Sequence, residues 1–202
     1  VPLVGPVVAI GYQATVLEAL ARGGPNAAPP RFDFGRLADY LLRGLRMFVV
    51  SMLMMLAVSP VMFVIVLVGN LSGVLLFSQE QPVTNMMGCL VIGVVAVLFT
   101  AVTVGAVALV TPLIVRAALD RDLAGIFDFA FLRDFLARVG RQTVLAHLAH
   151  VGINILLFIV GVLACFVGVF PATAFGLLVQ AHLFGQLYLL YLERGGRRIE
   201  LA

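Results

Sequence analysis

Lysine and tryptophan are absent from this chain, cysteine occurs twice, and charged residues make up only 11% of the 202 positions. Ordinary soluble domains carry about 25% charge, so an ordinary water-facing surface is excluded. Cys89 and Cys165 cannot build a disulfide framework, and they match no metal-ligand spacing. They are expected to be buried free thiols toward the outer leaflet, with a disulfide between them as the alternative. No Walker loop, zinc-ligand set, nucleophile elbow or kinase signature is present. All 13 basic residues are Arg, which reads first as the mark of a GC-rich genome. The +3 charge would suggest nucleic acid in a soluble protein. Here it fits loops facing an anionic membrane leaflet, and no nucleic-acid partner is expected.

What fills the chain instead is apolar: 62% of residues are hydrophobic. A soluble fold of this size leaves much of its surface in contact with solvent, so lipid must be part of that solvent. Residues 47–79, 81–115 and 142–192 are uncharged, as is the stretch before Glu18. A crossing takes about 20 apolar residues. The expectation is an all-α polytopic transmembrane bundle of about five spans, near 1–21, 48–77, 86–115, 143–168 and 173–192. The last two would be joined by a turn at Gly168 to Thr173, around Pro171. No alternating pattern of a barrel is present. Pro60, after Ser59, should tilt or kink the second span. Val1 is not Met and already lies in apolar sequence, so the native chain is expected to begin earlier, and no targeting signal can be judged.

Arginine gives the orientation. Arg22, Arg31, Arg36, Arg43 and Arg46 lie between spans one and two; Arg116, Arg121, Arg133, Arg138 and Arg141 lie between spans three and four; Arg194, Arg197 and Arg198 follow span five. Five crossings place all three groups on one side, which the positive-inside rule makes cytoplasmic. The expected location is the inner cell membrane, multi-pass, with a cytoplasmic C-terminus.

Residues 32–46 repeat without gaps at 127–141, with 8 identities in 15 positions and Tyr40 matching Phe135 in kind. Each copy sits between an inward and an outward span. Two parallel repeats (about 1–77 and 86–168, plus an extra span at 173–192) are therefore expected, related by an axis along the membrane normal. Each segment reads as a cytoplasmic interfacial amphipathic helix. Asp33 and Asp128 are N-caps, and Phe32 with Leu37, or Phe127 with Leu132, sit at staple positions. Asp39 with Arg43, and Asp134 with Arg138, are opposite charges at i, i+4. Such a helix could act as an elbow between spans, or as a docking or lipid-binding surface.

The run Pro2-Leu-Val-Gly5-Pro-Val-Val-Ala-Ile-Gly11-Tyr12, then Pro29-Pro30-Arg31-Phe32-Asp33-Phe34-Gly35-Arg36-Leu37 and Gly44-Leu45, resembles a prokaryotic membrane family known as domain of unknown function 4013. The stretch from Pro112 to Phe127-Asp128-Phe129 resembles that family's later half. The resemblance implies a multi-span helical membrane protein and carries over no catalytic residue.

Three histidines fall inside spans: His147 and His150 one turn apart, and His182. Ionisable groups there are functional candidates. His150 is about 14 Å along its helix from Arg141, and His182 about 18 Å from Arg194, so antiparallel neighbours would hold them at similar depth. Bis-His haem ligation, a quinone or proton site, or neutral imidazoles bonded to Gln180, Gln186, Asn154 or a carbonyl are the readings left open. No carboxylate lies mid-span to pair with them. Glu18 and Arg22 read as a surface pair, and Gly88, Gly93, Gly105, Gly161 and Gly168 as close helix-packing positions. The function expected is a non-enzymatic membrane subunit or scaffold packing with other membrane subunits. A small transporter with a pathway between the repeats, or a bis-His redox subunit, are the alternatives.

Overall fold

The structure, a computed structural model, describes residues 4–78, 82–120, 128–163 and 168–199. It is all-helical: α1 (Val4–Gly23), a 3-10 turn (Phe34–Arg36) leading into α2 (Leu37–Phe77), α3 (Pro82–Leu119), α4 (Phe129–Leu163) and α5 (Val169–Glu193). All five helices are long and apolar enough to cross a membrane, and the chain is a multi-pass membrane protein.

Two expectations change. The repeated segments are not helices of their own. Residues 37–46 are the opening turns of α2, and 129–141 those of α4, continuous with the apolar stretches that follow. No proline or glycine stands between Leu45 and Leu56 to break α2. The turn expected from Gly168 to Thr173 is also displaced, because α5 begins at Val169. Pro171 fits its first turn, where the missing N–H has no intrahelical partner anyway. The chain joining α4 to α5, including Cys165, lies outside the described residues, as does Phe127.

The fold divides into two compact units, 52–107 and the remainder. The smaller is an antiparallel hairpin made of the second part of α2 and the first part of α3. A Cβ on Gly69 would press on the Val95 side chain, one on Gly73 would touch Ile92, and one on Gly88 would meet the Phe77 ring. Gly69, Gly73 and Gly88 are the buried positions among its described residues. Three of its polar side chains turn back on their own helices: Asn70 donates to the Val66 carbonyl (2.8 Å), Thr100 to that of Ala96 (2.8 Å) and Thr103 to that of Phe99 (2.8 Å). Pro60 leaves the Leu56 carbonyl without its usual amide, and the Ser59 hydroxyl donates to it at 3.1 Å. That local substitution lets α2 continue through the proline.

The larger unit holds α1, the opening of α2, the end of α3, α4 and α5. Helix α5 packs against both α1 and α4. It runs parallel to α1: Gln13 donates to the Leu177 carbonyl at 2.6 Å, and Gly185 receives Leu20. It runs antiparallel to α4, with Gly176 against Asn154 and Gly161 against the backbone of Val169. Where α1 crosses the opening of α2 the backbones touch. A Cβ on Gly11 would fall on the Tyr40 carbonyl oxygen, and one on Gly44 on that of Val7. Small residues permit such approach, and dispersion between the backbones then holds the crossing. Of the glycines expected to mark close packing, Gly88 and Gly161 do, whereas Gly93 and Gly105 face open space.

Candidate functional site

Within the larger unit the arginine-bearing helix ends lie together, because α1, α3 and α5 finish where α2 and α4 begin. Each opening is capped as its sequence dictates. Asp33 accepts from the Gly35 amide at 2.8 Å. Asp128 accepts from those of Ala130 at 2.9 Å and Phe131 at 3.2 Å. Asp39 pairs with Arg43 at 3.0 Å and Arg36 at 2.7 Å; Asp134 pairs with Arg138 at 2.8 Å.

The surroundings of the two copies differ. In the first, Glu18 of α1 is only 13% exposed and bridges Arg22 and Arg43, so it is more than the surface partner of Arg22. Tyr12, Phe32 and Tyr40 form an aromatic cluster with centroids 5.1–5.9 Å apart. The Tyr12 hydroxyl donates to the Pro30 carbonyl at 2.6 Å, fixing the loop after α1. In the second, Arg116 of α3 reaches Asp128 at 2.8 Å and lies over the Phe131 ring at 5.3 Å. The Arg116 hydrogen bond comes first, and the Phe131 amide next, in holding the Asp128 carboxyl below its ordinary range. Phe131, Phe135 and Tyr191 pack together, and the Tyr191 hydroxyl donates to Asp134 at 2.7 Å. Arg138 and Arg194 exchange hydrogen bonds, each donating to the other's carbonyl.

The tail after α5 closes back on this end. Gly195 takes a positive φ of 78°, which favours glycine, and starts the reversal. The Arg197 amide then donates to the Tyr191 hydroxyl at 3.0 Å, and the Ile199 amide to that of Tyr188 at 2.9 Å. The sequence reading matched Tyr40 to Phe135 but gave no role to the tyrosine hydroxyls. For Tyr40, Tyr188 and Tyr191 the signal was positional, since these three sit at the arginine-bearing ends of apolar helices, where a ring with a polar tip suits both sides of an interface.

The histidines are not brought together as a pair of ligands. His147 shares a hydrogen bond with Thr111 of α3 at 2.7 Å, and His150 with Asn154 at 2.8 Å. Both line a small gap with Gln180 and Phe184 of α5. His182 lies on the other side of α5, bonded to Gln186 at 2.9 Å and lining an apolar cavity against Tyr12, Val16 and Leu20 of α1. At 100° per residue, position 182 is roughly 160–200° from 180 and 184. Azimuth around α5 thus gives the His150 and His182 rings different neighbours. Among the described residues no group of three His, Cys, Asp or Glu is placed to hold a metal. Cys89 is a free, exposed thiol rather than a buried one.

These observations define a class, a multi-pass helical membrane protein with a polar, aromatic-lined end. Residues 1–169 match the family described as protein of unknown function (DUF4013), and the chain belongs to it. No curated protein and no solved structure matches the chain.

Proposed function

We propose that the chain is a non-enzymatic membrane subunit that packs through the 52–107 hairpin against other membrane proteins. The observation that carries this is the hairpin's surface: of its described positions only glycines are buried, while Met55, Phe63, Leu90 and Val97 are 67–75% exposed. Its helices are also long. Residues 48–77 span about 45 Å at 1.5 Å per residue, against roughly 30 Å of hydrocarbon. Tilt can absorb such mismatch, and so can association with neighbouring helices. The arginine-bearing end then faces the cytoplasm, the two repeats are parallel, and the membrane is the inner one.

Extraction of native membranes into polymer-bounded discs tests the reading. The chain should emerge with stoichiometric companion polypeptides, and Val97→Arg should release them without lowering the stability of the larger unit. Recovery of the chain alone, with Val97→Arg inert, would remove the proposal. Single cysteines in a background without Cys89 and Cys165 test orientation: Ser78→Cys should react with an impermeant reagent from outside, and Ala28→Cys should not.

A second reading, handling of protons or small polar solutes, draws on one observation. His150 Nδ1 is buried without a hydrogen-bond partner, a costly arrangement in an apolar span. His150→Gln and His150→Leu would separate the readings: loss of a solute or proton flux in both variants, with assembly intact, favours transport.

A further inference from the structure

We infer that the apolar cavity between α1 and α5 is a binding site for the acyl chain of an ester-linked membrane lipid, with the ester carbonyl on His182. This goes beyond the packing role and does not depend on it. The cavity measures about 360 Å³, and Tyr12, Val16, Leu20, Ala27, Leu178 and His182 are in its lining, within the usual size range of small-ligand sites. Val16 and Leu20 belong to a buried cluster with Ala181, against which Tyr12 and Ala27 also pack, so this wall stands before any ligand arrives. Among the described residues that line the cavity none is an acid or an arginine. The body of a ligand that fits it is therefore apolar and uncharged.

Two polar side chains stand in the wall, and they select what the ligand offers. The Tyr12 hydroxyl already donates to the Pro30 carbonyl at 2.6 Å. The side-chain nitrogen of Gln186 meets His182 Nε2 at 2.9 Å; an amide nitrogen only donates, so Nε2 accepts and the ring proton sits on Nδ1. The ring thus offers the cavity an N–H donor, whose complement in an apolar site is a carbonyl oxygen. A hydroxyl would bring a donor of its own and need a further acceptor. The two edges of the cavity differ in the same sense as a lipid ester. On one side lies the non-helical loop after α1, at Ala27 and Pro29, and loop backbone needs water, headgroups or protein around it. On the other, Leu178 stands one turn before His182 and is 40% exposed. From there α5 leads back to Val169, away from the arginine-bearing end. A carbonyl held at His182 would send its chain past Leu178 into hydrocarbon and leave the headgroup on the polar side.

The test uses the full chain in a maltoside detergent, which carries no carbonyl. Thermal stability is titrated with diester phosphatidylcholine and with its diether analogue, matched in headgroup and chain length, so that only the carbonyls differ. The diester lipid should reach half-maximal protection at a roughly fivefold lower concentration, the scale of one hydrogen bond. His182→Leu should erase that advantage and leave the diether response unchanged; His182 is exposed, so this variant should fold. Val179→Phe, which narrows the cavity from the α5 side, should weaken protection by both lipids. Val160→Phe, at a position 63% exposed on α4, should alter neither. Equal protection by the two lipids, an ester advantage that survives His182→Leu, or equal effects of Val179→Phe and Val160→Phe overturns the site in favour of unspecific lipid contact.

Discussion

Residues 52–107 and the rest of the chain solve the same problem, staying folded with little charge, by opposite means. The larger unit has ion pairs, two aromatic clusters, tyrosine-to-backbone hydrogen bonds and helix crossings close enough for backbone contact. The hairpin has a seam of glycines, and Ser59, Asn70, Thr100 and Thr103 bond back to their own helices. All 13 arginines fall in the larger unit. One region therefore carries its own tertiary specificity, while the other presents an exposed apolar surface, which on the proposal above is covered by other membrane helices. A sequence that is uniformly hydrophobic can thus encode two kinds of helix contact, and glycine position separates them better than hydropathy does.

The sharpest way to break this comparison is to add one methyl group in each region. Gly44→Ala should destabilise by about 3 kcal/mol or more, the upper end for overpacking, because the new carbon meets backbone that cannot rotate away. Gly93→Ala, with nothing within 4 Å, should change stability by less than about 1 kcal/mol and toward gain, as alanine favours helix. Thermal unfolding in detergent reads both. Equal effects would mean that the two regions are packed alike.

Deleting one ring from each region is the next step down where the site has collapsed around it. Phe135→Ala, at a fully buried position, should cost about 3 kcal/mol. Phe63→Ala, 67% exposed, should cost under about 0.5 kcal/mol in detergent. A large loss at Phe63 in the isolated chain would show that the hairpin has internal packing of its own.

Much of this was readable in advance. Charge-free runs bounded by arginine clusters or by the lone Glu80, together with the double length of the last run, mark five helices, because a charge in hydrocarbon is too costly to be placed casually. Caps and i, i+4 spacings are local, so Asp33, Asp39, Asp128 and Asp134 have the partners that their offsets imply. Helix continuity was less visible. An amphipathic stretch looks the same whether it ends or runs on, and only the lack of a breaker after Arg46 decides for α2. Azimuth was hidden too: depth follows from counting residues, but which side of α5 meets α4 depends on packing, and that separates His182 from His150. The contact made by Gly44 depends equally on where α1 crosses.

The smallest expected effects sharpen the comparison between the two copies inside the larger unit. Tyr191→Phe removes a hydroxyl that both donates to Asp134 and accepts from Arg197, and should cost about 1–3 kcal/mol. Asp39→Asn removes a partly exposed helix pair and should cost only about 0.3–0.5 kcal/mol. The order, read by thermal unfolding, is the prediction; reversal would mean that the first copy is the more tightly built.

The division of labour itself is tested most directly by photo-crosslinking in native membranes, with a photoreactive phenylalanine analogue placed at Phe63, Leu90 or Val139. The first two positions are more than half exposed on the hairpin, and the third is buried in the larger unit. The account predicts discrete protein adducts of higher mass from Phe63 and Leu90 and none from Val139. Lipid adducts alone from both hairpin positions would contradict it.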